Sequence, residues 1–417
     1  MRGKGWLNGF RRAGWGAAIK RGAVRRALWG VAAVAILAGM VAPAQAETTG
    51  ASDRLRFEQF RQAAAIQLAR DPDNRQLRFD LAAASYRAGQ HGSAKYHLRV
   101  LMRDTGSAEE LAQLKRSYGM VQRDRPWAFG LNFALLPSSN INRRSSNEFF
   151  ETDFGRLLIT GGGQQKSGLG LRFGANVSRT GVLDNGDLVT LLLDANRSRY
   201  PEARLNRDDV TFQAVWSRRV VGGATTVSPF VTRFLHDDKD ATSSADWTRY
   251  GLRVSHEHYL DRRRSITGTL SLEQRDYDDL TYLDGPQGSL GLSYRAVTQG
   301  GLLLRYGATV TRAKPRQQHL RYNGLSLWGE VTRPVRGIGN IGLLANLGAR
   351  NYDTDFPLLG APRRDRNAGI GMSFSTPRLV VFDTTPRLTC QYHRNMSNVA
   401  LYEFASTDCS ITFDRQF

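Results

Sequence analysis

From Trp127 to its carboxyl end the chain repeats one pattern. Segments of 8–13 residues alternate apolar and polar side chains with period 2, as in "SITGTLSLEQRDY" and "GLLLRYGATVTR". Period 2 is the periodicity of a strand, whose successive side chains point to opposite faces. In the first segment Ile266, Leu270 and Leu272 oppose Thr267, Thr269, Ser271, Glu273 and Arg275. In the second, Leu302, Leu304, Tyr306, Ala308 and Val310 oppose Arg305, Thr309 and Thr311. Strands of about 10 residues with one apolar and one charged face, repeated many times, are the mark of a transmembrane barrel. A soluble β-sandwich favours shorter strands and an uncharged inner face. Tyr200, Tyr250, Tyr259, Tyr277 and Tyr352 stand at strand ends and are expected to form interfacial girdles.

The connections alternate as well. Short turns such as Val221–Ala224, Asp261–Arg264 and Arg336–Gly339 separate longer polar loops at 200–208, 236–246, 277–286, 313–320, 352–365 and 396–405. Short periplasmic turns and longer outer loops are the usual asymmetry of such barrels. Counting 154–163 would make 15 strands, but a chain with both barrel ends on one side needs an even number. That segment is therefore assigned to a first outer loop at about 138–166, leaving 14 antiparallel strands. The final "CSITFDRQF" carries the alternation to Phe417. In a closed barrel the last strand pairs with the first, because lipid tolerates no unpaired edge. The terminal aromatic has the form of signal that the outer-membrane insertion machinery of Gram-negative bacteria recognises.

The front of the chain differs. Eight basic residues and no acid precede and flank an apolar run, Ala27 to Val41, followed by Ala44-Gln45-Ala46. A basic region, a short apolar core and an Ala-x-Ala site read as a secretory signal over 1–46, since 15 residues fall short of a spanning helix. Residues 47–124 read as a small helical domain on the periplasmic side, and 125–417 as the barrel. Leu55, Phe57, Phe60, Ala64 and Leu68 recur at helical spacing until Asp71-Pro72-Asp73-Asn74 breaks the pattern. Leu81, Ala82, Tyr86, Gly89, Ala94, Leu98 and Leu101 sit where a tetratricopeptide repeat places its packing residues; an unrelated helical bundle is the alternative. A groove between packed helices is more often a peptide-binding surface than a catalytic one.

Little in the sequence offers chemistry. The net charge of +20 is a weak sign of nucleic-acid binding in an exported chain, and none is expected. There is no G-x-S-x-G, so a hydrolytic barrel lacks an assignable nucleophile and base. "GGGQQKS" carries Gln165 where a phosphate loop needs glycine. His256 and His258 share a strand face without a third ligand and read as an interfacial polar cluster rather than a metal pair. No catalysis, metal or cofactor is expected. If 396–405 closes a hairpin about its middle, Cys390 falls opposite Cys409 on the apolar face, either as a disulfide or as two lipid-facing thiols.

The motifs, in their order, resemble the surface lipoprotein assembly modifiers. "PWAFGLNFALLPSSNIN", containing Trp127, Ser139, Asn140 and Asn142, is similar to that family's first strand. "RRD" at 363–365, with Arg364 and Asp365, precedes a strand as in the family. "TPRLTCQYHRNMSNVALYEF", with Pro386, Arg387, Ser397 and Asn398, resembles its penultimate hairpin, and the terminal Phe417 also matches. The resemblance covers roughly 50–417; the helical domain is smaller than the family's. It implies an outer-membrane protein that delivers client surface lipoproteins or secreted β-rich polypeptides across or onto the outer membrane. The implied partners are the client, the lipid bilayer and the barrel assembly machinery, and a monomer is expected. A passive diffusion porin with an accessory periplasmic domain is the alternative.

Overall fold

A computed structural model describes residues 51–416 except 146, 148, 153–154, 160–163, 238–244, 358 and 382–383. The secretory-signal reading of 1–46 and the terminal Phe417 lie outside the described residues. The described helices and barrel belong to one compact unit.

Four helices come first: α1 (Ala51–Arg70), α2 (Arg75–Arg87), α3 (His91–Arg103) and α4 (Ala108–Asp124). Asn74 caps α2, its side chain accepting from Leu77 N at 2.9 Å, and Ser107 caps α4 through Glu110 N. Gly89, at φ +77°, closes α2: Gly89 N donates to Tyr86 O and Gln90 N to Ser85 O, a reversal that α3 needs in order to fold back. Ala94 is fully buried and lets α3 approach α2 closely, within a core of Ala82, Leu98, Leu101, Met102, Leu111, Leu114 and Val121. Leu81 packs instead with Ala64 and Leu68 of α1. Phe60, expected on the apolar side of α1, stands 52% exposed.

The remainder closes into a barrel of 14 antiparallel strands. They are β1 (Trp127–Ser138), β4 (Gly168–Val182), β5 (Leu188–Arg199), β6 (Arg207–Val220), β7 (Gly223–His236), β8 (Trp247–Tyr259) and β9 (Arg264–Tyr277), followed by β10 (Gly285–Val297), β11 (Leu303–Ala313), β12 (Tyr322–Val335), β13 (Gly339–Asp355), β14 (Pro362–Ser375), β15 (Arg387–Ser397) and β16 (Phe404–Gln416). The small hairpin β2 (Phe149–Thr152) and β3 (Gly155–Leu158) forms a separate sheet within the first long loop, as the parity argument required. Closure is a register fact. Leu131 pairs with Arg415 and Phe133 with Phe413, so β1 is paired on both sides. Phe133 lies 4.9 Å from Phe173 and 5.9 Å from Phe413, ring centre to centre, which seals the seam on its outer face.

Leu270, Leu272, Leu290, Leu292, Val310, Leu343, Ile370 and Met372 form an exposed outward band, while Thr267, Thr269, Ser271, Ser289 and Thr309 line the lumen. An apolar exterior around a polar interior, with no free strand edge, is the solution a bilayer imposes, and it makes this chain an outer-membrane-type barrel. Cys390 and Cys409 pair across β15 and β16 and are joined by a disulfide. Four of the five tyrosines expected in girdles lie on the inward side. Tyr259 packs under Arg103, Tyr277 beside Trp247, Tyr352 under Arg363, and the Tyr200 ring beside Gly170; only Tyr250 stands outward and exposed. Strand parity sets them opposite the leucines, and inside the barrel arginines lie over two of these rings.

Candidate functional site

The helical domain is docked on the turn end of the barrel. Asp187, in the β4–β5 turn, is 1% exposed; its carboxylate takes Lys115 Nζ at 3.2 Å and Asn185 Nδ2 at 3.1 Å. Beside this pair Gly119 of α4 approaches β4 so closely that an added Cβ would stand 3.2 Å from Val182 Cγ1. Arg262, in the β8–β9 turn, reaches Asp73 at 3.1 Å and bonds Asp104 beyond the end of α3. The hydrogen bond to Asp104 holds the Arg262 pKa above its ordinary value. Arg103, the last residue of α3, lies over the Tyr259 ring at 4.8 Å and 3.9 Å from Glu257 of β8. Its Nε has no hydrogen-bond partner although it is buried. The end of α3 is thus fixed at the mouth of the lumen by one strand turn and one strand, and α4 by a second turn.

Within the helices, Arg75 ties Asp104 and Glu110 together, and Thr105 also donates to Glu110. The Thr105 bond, with Arg75 beside it, holds the Glu110 carboxyl below its usual range. Burial, with Arg78 nearby, presses the His97 pKa down to about 4.

At the opposite, loop end the structure gathers motif residues that are remote in sequence. Asn140 is 1% exposed; its Nδ2 donates to Arg144 O at 2.9 Å and Ala405 O at 3.0 Å, and its Oδ1 accepts from Arg144 N at 3.1 Å. Ser139 Oγ accepts from Thr407 N at 2.8 Å, and Asn142 bridges Gln164 O and Lys166 N. Asn398 does the same between other strands: Nδ2 donates to Pro362 O and Oδ1 accepts from Arg364 N at 2.7 Å. Ser397 Oγ accepts from Val399 N. Asp365 is buried against Arg363, whose guanidinium lies between the Tyr352 and Tyr402 rings. These residues line the loop end of β14, β15, β16 and β1, four neighbouring strands that include the seam. The serine and asparagine side chains substitute for missing ladder bonds where strands give way to loops, so this group locks outer loops rather than lining a passage. Above it Phe150, Ile159 and Val399 form a small core with Phe356, Leu359, Ala400 and Tyr402.

Three expected residues stand elsewhere. Pro386 is buried and Arg387 exposed where β15 begins at the turn end. Trp127 is exposed at the start of β1, beside Phe129, with Arg179 over its ring. The residues that dock the helices (Arg103, Lys115, Asp187, Arg262) carry no pattern in the sequence, and at the loop end Arg363 is the first residue of "RRD". Among the described residues no group of three or more His, Cys, Asp and Glu side chains could hold a metal ion. His256 Nδ1 instead lies 2.9 Å from Thr225 Oγ1.

A family model described as surface lipoprotein assembly modifier matches residues 127–417. No curated protein matches the chain. Solved structures with a similar fold include OccK3 from Pseudomonas aeruginosa, 7% identical, with TM-score 0.36 and coverage of 70% of this chain and 96% of that one. CdiB from Acinetobacter baumannii is 9% identical with TM-score 0.38, covering 69% and 60%. A BenF-like porin from Pseudomonas fluorescens is 7% identical with TM-score 0.37, covering 70% and 99%.

Proposed function

The chain belongs to the surface lipoprotein assembly modifier family, and from that premise we propose that it delivers specific client polypeptides across or onto the outer membrane. In this reading 1–46 is a cleaved secretory signal. The helices of 47–124 form a tetratricopeptide-like domain in the periplasm that receives the client, and the barrel of 125–417 provides its route. The observation that carries the reading is the docking of a helical domain on the turn end, with Arg103 beside Glu257 at the lumen mouth. A passive porin gains nothing from helices fixed across its entrance, whereas a protein that accepts one cargo needs a receiver at that place. Phe60, Ile66 and Tyr96 stand exposed on α1 and α3 and supply apolar surface for an unfolded segment. Neither step calls for catalysis or a nucleotide, and folding of the client outside the cell supplies the drive.

Surface proteomics of a deletion strain against wild type tests the proposal. One or a few surface or secreted proteins should be lost from the outside, and a protein lacking 47–124 should form a folded barrel without restoring them. Unchanged surface proteins in the deletion strain, with a large constitutively open pore in planar bilayers, would establish the porin instead.

A further inference from the structure

The lumen wall made by β7, β8 and β9 carries a set of fixed guanidinium groups. Phe234 is stacked on Trp247 at 4.1 Å, and Trp247 on Tyr277 at 5.3 Å, so three rings from three adjacent strands form one plate. Arginines lie over this plate and over Phe230 beside it. Arg249 is 5.7 Å from the Phe230 centroid and 5.4 Å from that of Phe234; Arg253 is 5.5 Å from Phe230, and Arg275 is 5.6 Å from Trp247. Phe230 and Phe234 are themselves buried beneath these groups. A guanidinium held over an aromatic face keeps its charge and loses its freedom, so it meets an anion already oriented.

All three arginines face one cavity of about 370 Å³, lined otherwise mainly by threonine, serine and glutamine side chains and one carboxylate, Glu273, with atoms of Trp328, Leu292 and Ala308 adding apolar surface. Glu273 is taken by Arg275 at 2.6 Å. Among the described residues neither Arg249 nor Arg253 forms an ion pair, and Arg249 Nε is buried without a hydrogen-bond partner. Glu273 and Asp209 lie near enough to act on Arg249 without pairing with it, so both arginine forks are left with room to receive a carboxylate. Arg249 and Arg253 stand four residues apart on one face of β8, about 13 Å along the strand. Their guanidinium groups both lie over the one Phe230 ring, and an extended polypeptide, which presents same-side groups every ~7 Å, can place a carboxylate on each.

We propose that the β7–β9 wall of the lumen is a binding track for an extended, carboxylate-rich polypeptide segment, with Arg249 and Arg253 taking its acidic side chains. The proposal rests on the client-delivery reading and names the chemistry of the segment that the barrel receives. Its occupant is an extended segment, because a cavity of about 370 Å³ has room for a few residues and none for a folded domain.

The test uses the full-length protein folded in detergent and two fluorophore-labelled peptides, octaglutamate and octalysine, with fluorescence anisotropy as the readout. Octaglutamate should bind saturably, octalysine should not, and binding should weaken as salt is raised. Arg249→Gln and Arg253→Gln together should weaken octaglutamate about tenfold or more. Arg366→Gln, on the outward face of β14, should leave binding unchanged. Arg253→Gln alone covers failure of the double variant to fold, since Arg253 is exposed in the lumen, and heat-modifiable gel mobility certifies each barrel. Equal binding of the two peptides would overturn the proposal. So would undiminished binding by a folded variant, or displacement by free glutamate as effective per carboxylate as octaglutamate. Client display in the deletion strain reads the delivery function separately, so failure of the one is not failure of the other.

Discussion

Removing the Lys115 ammonium should release α4 from the barrel. Asp187 is 1% exposed and Lys115 13%, so the pair is desolvated by the docked helix. Lys115→Met keeps the apolar stem and leaves the carboxylate buried with only Asn185 Nδ2 as a side-chain donor. Orphaning one member of a buried ion pair costs 3–5 kcal/mol, and the low end, about 3 kcal/mol, applies here because the Asn185 bond survives. The cost falls on the docked state alone, since undocking returns Asp187 to water. About 3 kcal/mol corresponds to an opening equilibrium shifted by roughly a hundredfold. Arg262, paired with Asp73 and Asp104, does not offset it, because its guanidinium is 45% exposed and pairs of that kind are worth about 1 kcal/mol or less. Amide hydrogen exchange along α4 reads the opening, and heat-modifiable mobility shows that the barrel is intact. Pairing Lys115→Met with Asp187→Leu should restore most of the protection, because an apolar pair replaces a buried ionic one at little cost. Unchanged exchange in α4 of a folded Lys115→Met protein would refute the reasoning and assign docking to other contacts.

The helical domain should weaken on acidification. The His97 pKa lies at about 4 against ~6.5 in the unfolded chain, so between those values only the unfolded state takes up the proton. Stability is full above pH ~6.5 and falls as pH drops toward ~4, by about 1–2 kcal/mol once screening of a half-exposed ring is allowed for; urea melts at pH 7 and 5 should differ, and His97→Gln should flatten the difference. Asn140→Ala strands Arg144 N, Arg144 O and Ala405 O at the loop end, at a cost of about 2 kcal/mol. Protease added to intact cells should then cut the 143–166 loop faster without loss of folded barrel. Replacing Cys390 and Cys409 by serine opens a crosslink of sequence separation 19. The urea midpoint should fall by an amount equivalent to about 3 kcal/mol or less, since a loop of this size is worth ~3 kcal/mol and these strands are already paired. Alkylation that labels both thiols without prior reduction would show instead that the crosslink is absent.

Much of the architecture was legible in one dimension. Period-2 alternation separates lipid-facing Leu270 and Leu272 from lumen-facing Thr269 and Ser271 without any knowledge of neighbours, because a strand's two faces are set by its own backbone. Strand number followed from parity, and the Cys390–Cys409 register from the midpoint of one hairpin. The expected tyrosine girdle is not formed, because parity and not strand-end position decides which face a residue takes. What the sequence could not reveal is which distant residues meet. Asn140 lies beside Ala405, and Lys115 beside Asp187, only because β1 closes on β16 and the helices fold under the β4–β5 turn. Arg249 lies over Phe230 and Phe234 because β7 and β8 pair in one particular register. Alternation within a strand is a local property of the chain, set residue by residue. Closure, docking and the arginine wall are properties of register and loop path, which only the whole barrel decides.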